Sequence, residues 1–360
     1  MDMNTAPTTE NMAEGGSALR WPAEWEPQEA VWISWPHRED LWCGGLQGLL
    51  GRYAALVAEI SPWAEVRINA AAALHPGIRA LLESQGRPCR YKLYDHPTND
   101  VWCRDHGGIF AQRHDGSLQI ADWQFNAWGG KFPPWELDNE IPRHMAQSLG
   151  LPRLSSRIIL EGGAIEGNGE GLVLTTEAVL LNPNRNPGVS REQIESELHR
   201  LLGAKQVFWL GKGIEGDDTD GHIDDMVRFV NAEAAVSITE PDTHSPHYHN
   251  LAENNERLQD LRTPDGHRVE IVPLPMPRPV IQHDWRLEQL PASYANFLIC
   301  NGCVLVPIFM QEKEDDRALG ILRECFPGKQ VIGFDARLLI LEGGAIHCIT
   351  QQQPCPGKAL

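Results

Sequence analysis

One order of secondary-structure elements recurs along this chain and limits the folds that it can adopt. Two short strands, a helix and a further strand are predicted in succession in residues 171–210, 225–274 and 296–334. The N-terminal third fits this order less well, but it has room for two more copies. Several copies of one small unit favour radial repetition, with strands inside and helices outside. The sequence therefore predicts a closed, propeller-like α/β fold.

Individual elements are predicted from periodicity and from helix-end signals. Ser190 and Gln193 form a capping box at the start of a helix that should end at Gly203. Residues 171–182 are predicted as two short strands, and the apolar run at residues 337–341 is predicted as a core strand.

The hexapeptide LEGGAI occurs twice, at residues 160–165 and 341–346. Both copies follow an apolar run, and the second is followed after one further residue by Cys348. In a ring of repeated units, equivalent turns converge on the axis, and paired glycines let the backbone bend close to a cavity. We therefore expect both copies to approach one central cavity, where the first brings Glu161 and the second brings Cys348.

The charge of the chain restricts its partners. A formal net charge of -18 and a pI of about 5.2 argue against nucleic acid and anionic membranes, which need clustered Lys and Arg. A small cationic molecule is the favoured partner. No apolar run approaches the roughly 18 residues that span a bilayer, and the N-terminus lacks signal-peptide features. We expect a soluble, cytoplasmic protein.

The chain is predicted to be a single folded domain. Residues 1–18 are polar and without periodicity, so we expect a disordered tail, and no linker divides residues 19–360. The eight cysteines are too scattered to indicate a disulfide framework or a zinc site. A homodimer is the default expectation for oligomeric state.

Cys348 is the first candidate for chemistry. It follows a predicted core strand and a glycine pair, and a strand would hold a reactive thiol rigidly. A lone cysteine is more often a buried structural thiol. The residues alone leave both interpretations open.

A second candidate is GDDTDGHIDDM, residues 216–226. Alternation in a strand would place His222 and Asp224 on one face, which would give an acid/base imidazole beside a carboxylate. A solvated acidic loop and a divalent metal site suited to manganese remain equally open. In NDVWCRDHGGIF, Trp102 and Asp105 offer an aromatic face and a carboxylate, a pair that suits a cation.

Taken together, these motifs resemble those of the agmatine deiminase family, within the peptidylarginine-deiminase-like proteins. The resemblance covers nearly the whole chain after residue 20. It is carried by WPAEWEPQEAVWISWP, NDVWCRDHGG, WQFNAWGG, LEGGAIEGNGEG, LLNPNRNPG, DTDGHIDDM, SYANFLICNGCVLVP and GGAIHCITQQQP.

This resemblance implies a pentein fold, a five-bladed α/β propeller with pseudo-fivefold strand-strand-helix-strand repeats around a central active site. It implies a hydrolase that converts agmatine to N-carbamoylputrescine and ammonia, a step towards putrescine, through a covalent thiouronium and without metal or cofactor. The implied roles are nucleophile for Cys348, acid/base for His222, support of that histidine for Glu161, guanidinium binding for Asp105 and Asp224, and pocket wall for Trp102.

Two departures from the family pattern concern the turns near the expected cavity. Glu166 stands where relatives usually carry His, and residues 342–345 read EGGA where a third glycine and an asparagine are expected. They bear on the identity of the substrate more than on the type of reaction. Arginine, peptidyl arginine, another guanidino compound and amidino transfer therefore remain alternatives, and a manganese ureohydrolase or a non-catalytic pentein binding protein is a more distant one.

Overall fold

The structure, a computed structural model, describes residues 19–42, 45–283 and 289–357. The predicted disordered tail, residues 1–18, lies outside the described residues. No described helix is both long and apolar enough to cross a membrane.

The longer helices are Leu46–Ile60, His75–Glu83, Ile141–Leu149, Arg191–Leu202, Tyr248–Leu258 and Glu312–Cys325. Short helical turns are Ala72–Leu74, Cys103–His106, Ala127–Gly130, Glu136–Asn139, Gly162–Ala164, Glu177–Leu180, Ile223–Asp225 and Ile340–Glu342.

In the described parts of the chain, five sheets of three or four strands share one pairing pattern. Two strands pair antiparallel, and the second pairs in parallel with a strand that follows a helix. A short pair, Val280–Ile281 with Gln289–Leu290, lies outside this pattern. From one edge of each sheet to the other, with semicolons between the sheets, the strands are Thr350–Pro354, Gln28–Ser34, Glu65–Ala70, Tyr91–Asp95; Leu19–Arg20, Ile109–Arg113, Leu118–Gln124, Arg153–Ile159; Ile165–Gly167, Leu172–Thr176, Gln206–Leu210; Val227–Asn231, Ala234–Thr239, Glu270–Pro275; and Leu298–Ile299, Cys303–Ile308, Gln330–Asp335.

One of these sheets is assembled from both ends of the chain. Thr350–Pro354 pairs antiparallel with Gln28–Ser34, and Gln28–Ser34 pairs in parallel with Glu65–Ala70. The N-terminal third fits the repeat less well in the sequence because the outer strand of its first unit comes from the C-terminal segment. This pairing joins the last unit of the chain to the first.

The helix Arg191–Leu202 has the ends that the sequence predicts. The hydroxyl of Ser190 accepts from the backbone N–H of Gln193, and the Gln193 side chain accepts from that of Ser190 at 2.8 Å. Gly203 ends the helix in the left-handed conformation, with φ of 70°. The buried face packs against the sheet through Ile194, Leu198, Leu201 and Leu202.

Two predicted strands are wrong. The second half of residues 171–182 forms the helical turn Glu177–Leu180, and the run 337–341 folds into turns that lead into Ile340–Glu342. Both runs are still buried through several of their apolar side chains, and an apolar run of this length does not distinguish a strand from a buried helical turn. Cys348 therefore follows no core strand; it lies in the turn before Thr350–Pro354.

Candidate active site

Both copies of LEGGAI lie beside one group of side chains. A Cβ atom on Gly163, in the first copy, would lie 2.6 Å from His222 Nδ1 and 2.9 Å from Asp105 Oδ1. A Cβ atom on Gly344, in the second copy, would lie 2.3 Å from the ring of Trp102. Only glycine leaves room for such approaches, so these turns bring the backbone against the site.

A small cavity opens at this point. Its walls combine aromatic rings with carboxylates, which suits a flat organic cation. Trp102 and Trp128 meet edge to face, with ring centroids 6.2 Å apart. The lining residues are Trp102, Asp105, Trp128, Phe132, Asp218, Thr219, Glu342, Gly343, Gly344 and Cys348.

Cys348 places its thiol at the wall of the cavity, and the residue is only 4% exposed. Its Sγ lies 3.0 Å from Asn296 Nδ2 and 3.8 Å from Asp224 Oδ2. Burial raises the pKa of the Cys348 thiol well above its usual value, and nearby carboxylates, first that of Asp224, raise it further. The thiol is therefore neutral in the free protein. Asn296 was not among the predicted site residues, and its only sequence signal was the motif SYANFLICNG.

His222 lies between two carboxylates, but not by strand alternation as predicted. It immediately precedes the short helical turn Ile223–Asp225, and this turn directs its ring. His222 Nδ1 is 3.7 Å from Asp105 Oδ1, and Nε2 is 3.8 Å from Glu161 Oε2. Burial lowers the pKa of His222, but Asp105 and Glu161 outweigh burial and raise it to about 10. Neither ring nitrogen has a hydrogen-bond partner among the described residues, so the protonated ring can donate to a ligand.

Glu161 lies beside His222, as the resemblance implies, and is held by an arginine. Its Oε1 accepts from Arg185 Nε at 2.7 Å, and both side chains are fully buried. Burial raises the pKa of Glu161, but Arg185 and His222 lower it below its usual value, so the carboxylate stays ionised. Arg185, from the motif LLNPNRNPG, was not among the predicted site residues.

Replacing Arg185 with methionine should lower the free energy of unfolding by about 3–5 kcal/mol, because Glu161 would be left buried without its cation. Chemical denaturation measures this difference. The matched control is Arg143→Met, which breaks the exposed ion pair with Glu140 and should cost less than about 1 kcal/mol. Equal losses in the two variants would contradict the expectation.

The remaining two carboxylates differ in their partners. Asp105 accepts from the indole N–H of Trp128 at 3.0 Å and from the backbone N–H of Gly163 at 3.1 Å. Burial raises the pKa of Asp105 to about 7. Asp224 Oδ2 lies 2.7 Å from His347 Nδ1, and although burial raises the pKa of Asp224, His347 lowers it below its usual value. Together they place two carboxylates at the site of the thiol.

The metal interpretation of GDDTDGHIDDM finds little support in the arrangement. The ligand atoms of Asp224, Asp225 and Cys348 lie within 4.8 Å of one another, and His222 is not in this group. One oxygen of Asp225 accepts from Asn296 Nδ2 at 2.9 Å. A thiol with two carboxylates does not fit manganese, which prefers oxygen and imidazole ligands.

Fold and site together define the class of protein. Repeated strand-strand-helix-strand units with a thiol, a histidine and carboxylates at one cavity are the arrangement of guanidine-modifying enzymes with the pentein fold. An amidinotransferase from Microseira wollei shares the fold, with a TM-score of 0.51 at 11% identity over 96% of this chain and 100% of that one.

Closer similarities identify the family. Residues 20–354 match the family model of the Porphyromonas-type peptidyl-arginine deiminases. The agmatine deiminase of Medicago truncatula is 37% identical over 92% of this chain and 96% of its own length. The structure of the Enterococcus faecalis agmatine deiminase superposes with a TM-score of 0.89 at 31% identity, covering 97% of this chain and 99% of that one. The chain belongs to the agmatine deiminase family, within the Porphyromonas-type peptidyl-arginine deiminases.

The two departures from the family pattern lie in different places. Glu342 lines the cavity, next to Gly343, whose φ is 101°. Glu166 lies outside the cavity wall and pairs with Arg228, Nε to Oε2, at 3.0 Å. Of the two, Glu342 is placed to influence which substrate enters.

Proposed function

We propose that this protein hydrolyses agmatine to N-carbamoylputrescine and ammonia. The observation that carries the proposal is the buried group of Cys348, His222, Glu161, Asp105 and Asp224 at an aromatic cavity. Several polar atoms of this group have no partner in the described part of the chain, namely both ring nitrogens of His222, Glu161 Oε2 and Asp224 Oδ1. Buried polar atoms without partners mark a place where a ligand completes the hydrogen bonds.

Substrate binding activates the nucleophile. The guanidinium group donates N–H bonds to Asp105 and Asp224, and its charge offsets the carboxylates that keep the thiol of Cys348 neutral. A cation about 4 Å from the sulfur contributes about 4 kcal/mol at an effective dielectric of about 20. This is enough to favour the thiolate, whose proton passes to solvent.

The reaction then takes two steps. The thiolate of Cys348 attacks the guanidinium carbon, a C–S bond forms, and His222 protonates the nitrogen that leaves as ammonia. A covalent thiouronium remains. Neutral His222 next accepts a proton from water, and the hydroxide adds to the same carbon. The C–S bond then breaks, the remaining hydroxyl proton passes to the sulfur, and the ureido product and the thiol are released. Glu161 stabilises the positive charge of His222 in the first step.

Incubation with agmatine in excess chelator tests the proposal, with ammonia and urea measured together. Ammonia without urea is the expected result. Urea, or turnover only after addition of manganese, would contradict it. Arginine, arginine-containing peptides and other guanidino compounds are assayed in parallel, and preference for one of these would replace agmatine as the substrate.

The pH dependence of kcat/KM should follow two groups of the free enzyme. Activity should rise as Asp105 loses its proton near its pKa of about 7, because a neutral acid binds a cation poorly. It should fall above about 10, where His222 loses the proton that the leaving nitrogen needs. Initial rates at low agmatine concentration give the profile. A profile that stays flat through neutral pH would contradict the role of Asp105.

A further inference from the structure

The motif WPAEWEP supplies a buried carboxylate that the proposed reaction leaves without a role. Glu24 precedes the strand Gln28–Ser34, yet only 6% of it is exposed. Its Oε1 accepts from the backbone N–H of Ile299 at 2.6 Å, and its Oε2 accepts from Arg228 Nη2 at 2.8 Å. Burying a carboxylate is costly unless charged partners surround it, so this placement needs a reason.

A further partner of Glu24 is His347, whose ring lies between two carboxylates. Nε2 is 2.9 Å from Glu24 Oε2, and Nδ1 is 2.7 Å from Asp224 Oδ2. Burial raises the pKa of both carboxyl groups, but Arg228 and His347 hold that of Glu24 far below its usual value, and His347 lowers that of Asp224. Each ring nitrogen of His347 therefore lies within hydrogen-bond distance of a carboxylate oxygen, and the ring connects Glu24 to Asp224.

Asp224 differs from Asp105 because of this ring. Both carboxyl groups are buried, but Asp105 accepts hydrogen bonds from the neutral donors Trp128 and Gly163, whereas Asp224 accepts from His347. His347 occupies Oδ2 of Asp224, and Oδ1 has no partner in the described residues. Asp224 Oδ1 is thus held in a fixed direction, where it can accept a hydrogen bond from the guanidinium group.

We propose that Glu24 is a positioning residue for guanidinium binding: through the His347 ring, it keeps Asp224 ionised with Oδ1 turned to the substrate. This inference rests on the proposed function, in which Asp224 binds the guanidinium group. The other explanation is that Glu24 only neutralises Arg228.

Glu166 provides a matched control. It is as buried as Glu24, its Oε2 accepts from Arg228 Nε at 3.0 Å, and its Oε1 accepts from the backbone N–H of Phe229 at 2.9 Å. None of its hydrogen bonds goes to His347. Glu24→Gln and Glu166→Gln therefore both remove a negative charge beside Arg228, and only the first removes a charged hydrogen-bond partner of His347.

Steady-state kinetics with agmatine separates the two explanations. For Glu24→Gln we expect KM to rise by about tenfold or more with a much smaller change in kcat, because binding to Asp224 weakens before the chemical step. Glu166→Gln should keep the wild-type KM. The proposal is overturned if both variants change KM equally, or if Glu24→Gln lowers kcat at unchanged KM.

A second measurement needs neither turnover nor a folded Glu24 variant. The ¹⁵N spectrum of the histidine rings in the wild-type protein reports which nitrogens of His347 carry protons, with the signal assigned by its loss in His347→Asn. We expect a proton on Nδ1, the nitrogen that faces Asp224 Oδ2, and an Nδ1 without a proton would overturn the proposal. If wild-type protein releases no ammonia from agmatine, the proposed function fails. The spectrum still shows whether His347 Nδ1 donates a hydrogen bond to Asp224.

Discussion

Replacing Cys348 with alanine will abolish the release of ammonia from agmatine, lowering kcat by about four orders of magnitude or more. The reason is that no other thiol lines the described cavity, and without the sulfur no covalent thiouronium can form. Steady-state ammonia release measures the loss. Near wild-type activity in this variant would remove Cys348 as the nucleophile.

The control for this variant is Cys303→Ala. Cys303 is fully buried in the strand Cys303–Ile308, away from the cavity wall, so its replacement tests the cost of losing a buried thiol. We expect this control to lose some stability and to keep its activity. Circular dichroism of both variants establishes that Cys348→Ala retains its fold.

Replacing His222 with glutamine should lower kcat by about 10²–10⁴-fold, the usual contribution of a general acid and base. In the first chemical step His222 donates a proton to the leaving nitrogen, and in the second it accepts a proton from water. Glutamine keeps a hydrogen-bonding side chain in the site but cannot carry that proton. The alkaline fall in kcat/KM should also disappear. Single-turnover ammonia release measures the effect on the first step directly.

His96 offers a matched control for this second variant. It is a buried histidine that hydrogen-bonds to Asn69 and Ser148, outside the cavity wall. His96→Gln should alter stability and leave the pH profile unchanged. If His222→Gln affects kcat no more than His96→Gln does, His222 is not the acid/base of the reaction.

Several local features of the fold could be predicted because short sequence patterns encode them. The capping box at Ser190 and the left-handed Gly203 bound one helix, and the recurring strand-strand-helix-strand order indicated the repeated unit. The predictions of a second strand within residues 171–182 and of a strand at residues 337–341 were wrong, because buried helical turns and strands have equally apolar sequences.

The sequence by itself determined the repeated units, the negative net charge and the motifs that carry Cys348, His222 and the carboxylates. Only the tertiary structure decided how these groups meet. His222 faces Glu161 because a helical turn directs it, and Glu24 reaches His347 across more than three hundred residues. Local periodicity reports which side chains are buried, whereas such contacts depend on how distant units pack once the C-terminal strand has joined the first sheet.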